Sequence, residues 1–242
     1  MLPEVDPEAV RDRLAAVRDR IAAAGGDPGK IVVVAVTKGF GPQAPLAALR
    51  AGLVDIGENY ADELLAKHAA VAGHLAGQEP AMPLPRWHFV GAIQRNKVGR
   101  LAPAVDCWQS VSRASEATAI ATRAKGAAPE VFVEIDVSGQ PGRGGCPPDE
   151  APAVVSAART AGCNVRGLMT VAPLVASGPS GPGTEAGRKQ ATEAFGRVAR
   201  LASALGLNEL SMGMSHDLEQ AVAAGSTMVR IGTALFGERV IR

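Results

Sequence analysis

Residues 31–37 read IVVVAVT, a run that is apolar or β-branched throughout. A strand with one face in water alternates apolar and polar residues, whereas a parallel strand covered on both faces is continuously apolar. The run therefore predicts a buried parallel strand. A helical segment at 44–51 follows it and ends before Gly52, so the two segments form a strand-then-helix unit.

The same unit recurs along the rest of the chain. Strands are predicted at 31–37, 54–57, 88–91, 105–111, 131–137, 165–170, 209–212 and 227–231. Helices are predicted between them at 44–51, 61–75, 96–101, 114–125, 149–161, 185–205 and 217–224, and a helical turn follows the last strand. Eight units in 242 residues match the roughly 250 residues of one (β/α)8 barrel. We therefore predict an α/β fold in which residues 1–242 form one TIM-barrel domain.

A further helix at 7–24 precedes the barrel, since Val10, Leu14, Val17 and Ile21 recur at helical spacing. An open, doubly wound sheet is the alternative fold. Its usual mark is a G-x-G-x-x-G turn after the first strand. This chain reads TKGFGP there, which favours the barrel.

Charge and composition exclude several classes of partner. The chain has 25 Lys and Arg against 24 Asp and Glu, so its net charge of +1 gives no reason to expect nucleic acid or an anionic membrane. It has no apolar run near 18 residues and no signal-peptide core. Three widely spaced cysteines suggest neither a disulfide framework nor a zinc site. We expect a cytoplasmic protein with no metal.

Lys38 is the first candidate for chemistry. The ligand face of a barrel is built from the C-terminal strand ends, and Lys38 directly follows the first predicted strand. Burial disfavours the ammonium form of a lysine, and a neutral amine can attack an aldehyde to form an imine. The alternatives are a lysine that extends to the rim or one that pairs with Glu58.

Two turns near the end of the chain combine glycine with a hydroxyl side chain. They are Gly213-Met214-Ser215 after strand seven and Gly232-Thr233 after strand eight. Phosphate sites of barrels often lie in these loops, although Ser and Thr are also ordinary helix caps. Strand eight neighbours strand one in a closed barrel, so Lys38 would face the turns. Arg230, inside strand eight, must either be paired or point into the mouth of the site.

Five stretches together resemble the pyridoxal-phosphate homeostasis proteins, the YggS/PROSC family, whose fold is similar to the barrel domain of alanine racemase. They are VVVAVTKG at 32–39, DIGENYADELLAK at 55–67, WHFVGAIQRNK at 87–97, VRGLMTVAP at 165–173 and LSMGMSHDLEQAVAAGSTMVRIGTALFG at 210–237. The resemblance implies pyridoxal 5'-phosphate (PLP) as the cofactor. The residues that it implies are Lys38 for the internal aldimine, Ser215, Gly232 and Thr233 for the phosphate, Arg230 for the pyridine nitrogen, and Asn59 and His88 for the ring or its edge.

The chain departs from the family in four places. After strand four it reads SVSR at 110–113, where an aspartate is usual at the third position, and Arg143 stands where a lysine is common. Segments 77–86 and 176–187 are rich in Pro and Gly and longer than expected, and both are predicted to be loops. The second is either a lid over the site or a plain insertion.

The resemblance implies a protein that stores, delivers or buffers PLP without turnover. The alternative is a PLP-dependent racemase-like enzyme, which needs a second acid or base, usually a tyrosine from an additional β-domain. The only tyrosine is Tyr60, and the sequence predicts no additional β-domain after the barrel. A phosphosugar enzyme is disfavoured by Arg230. We therefore expect a carrier, with PLP as its ligand, apo PLP-dependent enzymes as candidate recipients, and a monomer as the simplest assembly.

Overall fold

Eight parallel strands close into a barrel in the computed structural model, with the first strand paired to both the second and the eighth. The structure describes residues 5–77, 82–140, 142–173 and 184–238. The strands are β1 (Val32–Val36), β2 (Asp55–Glu58), β3 (Arg86–Phe89), β4 (Cys107–Val111), β5 (Glu130–Ile135), β6 (Asn164–Thr170), β7 (Glu209–Ser211) and β8 (Met228–Ile231). The predicted (β/α)8 barrel is confirmed.

Helices cover the outside of the barrel. They are α1 (Pro7–Ala23), α2 (Gln43–Arg50), α3 (Ala61–Leu75), α4 (Arg95–Leu101), α5 (Ala114–Arg123), α6 (Ala151–Thr160), α7 (Glu185–Ala204), α8 (Leu218–Ala223) and α9 (Thr233–Phe236). Of the two predicted loops, 78–81 and 174–183 lie outside the described residues. In the described part of the chain, no helix is long and apolar enough to cross a membrane.

The additional N-terminal helix is present as α1. Asp6 caps it by accepting a hydrogen bond from the Glu8 N–H at 3.0 Å, and Pro7 occupies the first turn, where no N–H is needed. The four apolar residues of the predicted helical pattern are all buried. This face packs against α2, α8 and α9, so α1 closes the outside of the barrel where the first and last units meet.

The third strand begins two residues earlier than predicted, at Arg86 instead of His88. Arg86 pairs in register with Asp55 of β2, and His88 pairs with Gly57. Charged residues at the start of a strand weaken the sequence signal for that strand, which explains the shift. As a result, His88 lies in the middle of β3 and not at its beginning.

The interior of the barrel is filled in layers. A middle layer is apolar and consists of Val34, Cys107, Phe132, Met169 and Met228, with Val32 and Val171 packed against it. Charged residues occupy the N-terminal end of the interior, where β2, β3, β5 and β7 begin. The C-terminal end opens into a cavity.

Candidate functional site

A cavity of about 210 Å³ opens at the C-terminal ends of the strands. Six of the seven predicted site residues line it: Lys38, Asn59, Ser215, Arg230, Gly232 and Thr233. A larger groove of about 640 Å³ lies at the opposite end, between Pro103 and Lys125, and the predicted residues do not line it. Binding sites of TIM barrels lie at the C-terminal face, so the smaller cavity is the candidate site. Among the described residues, no cluster of His, Cys, Asp or Glu is arranged to hold a metal.

The pairing of β1 with β8 brings Lys38 close to the last turn. Val34 is in register with Arg230 and Ala35 with Ile231, so the chain after β1 runs beside the chain after β8. A Cβ at Gly232 would lie 3.3 Å from the Val36 carbonyl oxygen, which shows how closely the two segments approach. The sequence argument that strand eight neighbours strand one in a closed barrel therefore holds.

The turn that carries Lys38 is fixed from outside the barrel by Lys67 of α3, a residue that the sequence reasoning missed. The Lys67 Nζ donates to the Thr37 carbonyl at 2.7 Å, to Glu58 Oε1 at 2.6 Å and to Glu63 Oε2 at 3.0 Å. The Gly39 N–H also donates to Glu63 Oε2, at 2.9 Å. Glu58 therefore has a cation from α3. Burial raises the pKa of Glu58 even so, because its side chain is fully inaccessible.

The turn after β7 is tied both to its own helix and to the turn after β8. The Met214 N–H donates to Asp217 Oδ1 at 2.6 Å, and the Ala234 N–H donates to Ser215 Oγ at 3.1 Å. Asp217 is the N-cap of α8 and Gly232 the N-cap of α9, so Ser215 and Thr233 are not the ordinary helix caps that the sequence allowed.

Arg230 is 5% exposed, and its guanidinium reaches neutral oxygens. Nη1 donates to the Ser211 carbonyl at 2.6 Å and to Ser211 Oγ at 2.7 Å, and Nη2 donates to the Thr170 carbonyl at 2.8 Å. Burial lowers the pKa of Arg230 to about 10, against the opposing effect of Glu134 and Asp217. Burial in turn raises the pKa of Glu134 to about 7. Arg230 thus brings a positive charge into the wall of the cavity.

Asn59 and His88, the two residues predicted near the ring, lie in different places. Asn59 lines the cavity, and its backbone is in tight contact with Gly91, where a Cβ would lie 1.9 Å from the Asn59 carbonyl oxygen. His88 is fully buried below the cavity, with its Nε2 2.8 Å from Asp55 Oδ1 and its Nδ1 2.7 Å from Gln109 Nε2. Since side chains alternate along β3, Val90 lines the cavity two residues later.

The two loops that depart from the family pattern make local contacts. The backbone N–H groups of Ser112 and Arg113 donate to Glu116 Oε2 and so cap α5. Arg143 Nη2 donates to the Ala172 carbonyl at 3.1 Å, which joins the loops after β5 and β6. The sequence reasoning also missed most of the apolar lining, because apolar side chains carry no chemical signature. That lining includes Val36, Phe40, Val90, Met169 and Val171.

Comparison with known proteins points to one family. The family model described as alanine racemase, N-terminal domain, matches residues 5–240. A pyridoxal phosphate homeostasis protein of Pseudomonas aeruginosa is 38% identical over 93% of this chain and 92% of its own length, and one of Deinococcus radiodurans is 39% identical over 92% and 97%. The solved structure of PipY from Synechococcus elongatus with PLP bound has a TM-score of 0.73 and 28% identity, covering 91% of this chain and 100% of that one.

Proposed function

The chain belongs to the pyridoxal phosphate homeostasis proteins of the alanine racemase N-terminal-domain family, and on that premise we propose that it holds PLP on Lys38 as a Schiff base. In this role the protein stores, delivers or buffers the cofactor inside the cell. Condensation of the lysine amine with the aldehyde joins nitrogen to carbon and releases one water. PLP, when bound, supplies a reactive aldehyde and an electron-accepting ring.

One observation carries this proposal: an amine, a buried cation and two adjoining turns share one small cavity. Lys38, Ser215, Gly232 and Thr233 all line it, and Gly232 packs closely against Val36, two residues before Lys38. A phosphorylated aldehyde needs a nucleophilic amine at one end and hydrogen-bond donors at the other. The residues present therefore fit PLP, with Lys38 for the aldehyde and Ser215, Gly232 and Thr233 for the phosphate.

Arg230 supports a holding role over turnover. An arginine donates hydrogen bonds and accepts none, so opposite the pyridine nitrogen it would leave that nitrogen unprotonated. An unprotonated ring is a weaker electron sink, and the electron sink is what most PLP enzymes use. Asn59, at the rim of the cavity, would contact the edge of the ring.

The described residues around the cavity offer no suitable second base, which also supports a carrier. Tyr60 is 57% exposed and lies at the start of α3, outside the lining of the cavity. His216 lines the cavity on the side of the two turns, where it would stand next to the phosphate. We therefore infer that the protein does not turn over amino acids, in contrast to a racemase-like enzyme.

The cysteines agree with a cytoplasmic location, which we also infer. Cys107, Cys146 and Cys163 are all buried and free. Free thiols persist in a reducing compartment.

Trapping with borohydride tests the proposal. The protein mixed with PLP should develop an imine absorption band, and reduction should leave a phosphopyridoxyl group on the peptide that contains Lys38. Lys38→Ala should lose the adduct, whereas Lys30→Ala, at a lysine whose side chain is 85% exposed, should retain it. An adduct on another peptide would overturn the assignment.

Two assays test the carrier role. Alanine, serine and glutamate should give no racemisation or transamination, and turnover on the order of 1–10³ per second would indicate an enzyme. Loaded protein mixed with an apo PLP enzyme should restore its activity, with a time course compared against the same concentration of free PLP.

A further inference from the structure

A chain of buried hydrogen bonds runs through the barrel from the cavity to its opposite end. Arg230 Nη1 donates to Ser211 Oγ at 2.7 Å, and Ser211 Oγ donates to Gln109 Oε1 at 2.6 Å. Gln109 Nε2 lies 2.7 Å from His88 Nδ1, and His88 Nε2 lies 2.8 Å from Asp55 Oδ1. We propose that Ser211, Gln109 and His88 are positioning residues that hold Arg230 in place for the bound cofactor, an inference that rests on the proposed function.

The direction of every bond in the chain follows from its chemistry. The Gln109 oxygen accepts from Ser211, so its amide nitrogen must be the atom that faces His88. His88 Nδ1 then accepts, and Nε2–H donates to the Asp55 carboxylate. Burial lowers the pKa of His88, which agrees with this neutral imidazole. All four donors therefore point away from the cavity, toward one carboxylate.

Because these groups are buried, the chain of hydrogen bonds favours one arrangement of its side chains. His88, Gln109 and Ser211 are fully inaccessible, so a broken link leaves a polar atom that water cannot reach. Bonds aligned in one direction also polarise and strengthen each other in a medium of low dielectric. Arg230 consequently has one favourable orientation, in which Nη2 binds the Thr170 carbonyl.

This arrangement assigns a role to His88 that its position in the sequence did not suggest. It does not line the cavity, yet it is two hydrogen bonds away from Ser211, which contacts Arg230 directly. Asp55, at the far end, is also paired with Arg86, with its Oδ1 3.3 Å from Nη1. The chain of hydrogen bonds therefore ends on a carboxylate that Arg86 also holds in place.

The test compares the absorption spectrum of bound PLP in a set of variants. His88→Leu and Gln109→Leu should still form the Lys38 adduct, but the absorption maximum should move in the direction seen with Arg230→Gln, and PLP should bind about fivefold to tenfold more weakly. His88→Gln should restore the wild-type spectrum, since its amide can accept from Gln109 and donate to Asp55. Cys107→Ala is the matched control, because Cys107 is fully buried and in register with His88 but takes no part in the chain of hydrogen bonds.

The outcomes separate this proposal from the one on which it rests. If wild-type protein forms no adduct on Lys38, the proposed function fails. If the adduct forms and Arg230→Gln changes the spectrum while His88→Leu and Gln109→Leu do not, the positioning role is overturned. An equal change in Cys107→Ala would also overturn it, as a general response of the core. Ser211→Ala removes only one hydroxyl and gives the same comparison should the leucine variants fail to fold.

A second inference concerns α1, which contacts the turn after β7 and the backbone of α9, directly after the turn that follows β8. Arg20 binds Glu219 through Nε at 2.6 Å and through Nη2 at 3.0 Å, and Nη2 also donates to the Ser215 carbonyl at 3.0 Å. Arg13 Nη1 donates to the Leu235 carbonyl at 3.2 Å. We infer that α1 positions the phosphate-binding wall through these two arginines, again on the premise of the proposed function.

Together, these contacts link α1, the turn after β7 and α9 to one another. α1 is anchored on α8 and α9 by its buried face. Arg20 holds the backbone of the turn after β7, Arg13 holds the backbone of α9, and the Ala234 N–H of α9 joins the two by its bond to Ser215 Oγ. Exposed ion pairs add little to the stability of a fold, typically about 0–1 kcal/mol. The effect of Arg20 should therefore appear mainly in the geometry of the wall.

Comparison of PLP with pyridoxal, which lacks the phosphate, tests this role. Arg20→Ala should weaken PLP binding about fivefold and leave imine formation with pyridoxal unchanged, and Arg13→Ala should have a smaller effect of the same kind. Arg11→Ala is the matched control, since Arg11 pairs only within α1 to Glu8 at 2.6 Å in the described structure. Equal loss of both ligands, or no loss of either, would contradict the inference. Wild-type protein that binds neither ligand on Lys38 would instead refute the proposed function.

Discussion

The charged residues at the two ends of the barrel interior have different kinds of partner. At the N-terminal end, three carboxylates alternate with two arginines and pair with them. The residues of this charged ring are Asp55, Arg86, Glu130, Arg166 and Glu209. At the C-terminal end, Arg230 is hydrogen-bonded to two carbonyls and a hydroxyl.

This difference separates the structural end from the binding end. Charges that pair with each other have little remaining attraction for a ligand. Arg230 is hydrogen-bonded to neutral oxygens, and Glu134 and Asp217 act on it without such a bond, so it keeps more of its field. The cavity beside Arg230 is therefore suited to an electron-rich group. The charged ring lies at the N-terminal end of the barrel interior, and the chain of hydrogen bonds from Arg230 to Asp55 connects the two ends.

The largest expected effect comes from two glycines, one near each end. A Cβ at Gly91 would lie 1.9 Å from the Asn59 carbonyl oxygen, and a Cβ at Gly167 would lie 1.9 Å from that of Glu209. Either alanine substitution should destabilise the fold by about 3 kcal/mol, because backbone must move. Only Gly91→Ala displaces a residue of the cavity, so it alone should also weaken PLP binding, by about tenfold.

Urea unfolding and PLP titration of the two variants measure both effects. The pair is matched, since the same atom meets the same kind of obstacle at the same distance. Equal loss of PLP affinity in Gly167→Ala would show that the two ends are not independent.

The second prediction uses the opposite pKa shifts of an acid at each end. Burial raises the pKa of Glu134, near Arg230, from 4.5 to about 7. The folded state then holds more protons than the unfolded state between these values, so stability falls as pH rises from about 4.5 to 7. Glu134→Gln should remove this fall, worth about 1–3 kcal/mol at pH 8.

Asp55 in the charged ring should behave in the reverse manner. Burial alone would raise its pKa, but the hydrogen bond donated by the neutral His88 and the charge of Arg86 lower it below 3.8. Its contribution is therefore present above pH 4 and is lost as pH falls through the folded pKa. Asp55→Asn should lower stability at neutral pH, where Glu134→Gln raises it. Unfolding curves from pH 3 to 8 would contradict the comparison if both variants shifted in the same direction.

The sequence was sufficient for the fold and for six polar or glycine residues that line the cavity, for a physical reason. A continuous β-branched run such as 31–37 has few alternatives to a buried strand, and the barrel rule then places Lys38, Ser215 and Thr233 at one face. It was insufficient for the contacts that support them. Lys67 and His88 act through partners that are remote in sequence, and no local pattern predicts such pairs.

The position of His88 illustrates this limit. A histidine next to a strand can face the cavity or the core, and one residue of register decides between them. The register of β3 is set by Arg86 opposite Asp55, a pairing across 31 positions of sequence. Only the closed sheet therefore shows that His88 lies below the cavity.

The smallest expected effect on stability comes from removing one arginine at each end of the barrel and comparing the two variants. Arg86 is about one-third exposed, so Arg86→Gln should destabilise the fold by only about 1 kcal/mol, less at high salt. PLP affinity and spectrum should be unchanged, because Asp55 keeps its hydrogen bond from His88. Arg230→Gln should instead leave the imine formed and alter its spectrum, since the donor to the ring nitrogen changes. A spectrum unchanged in Arg230→Gln would place Arg230 away from the ring. A spectrum changed in Arg86→Gln would show that the charged ring acts on the site through Asp55, and the separation of structural and binding ends would then fail.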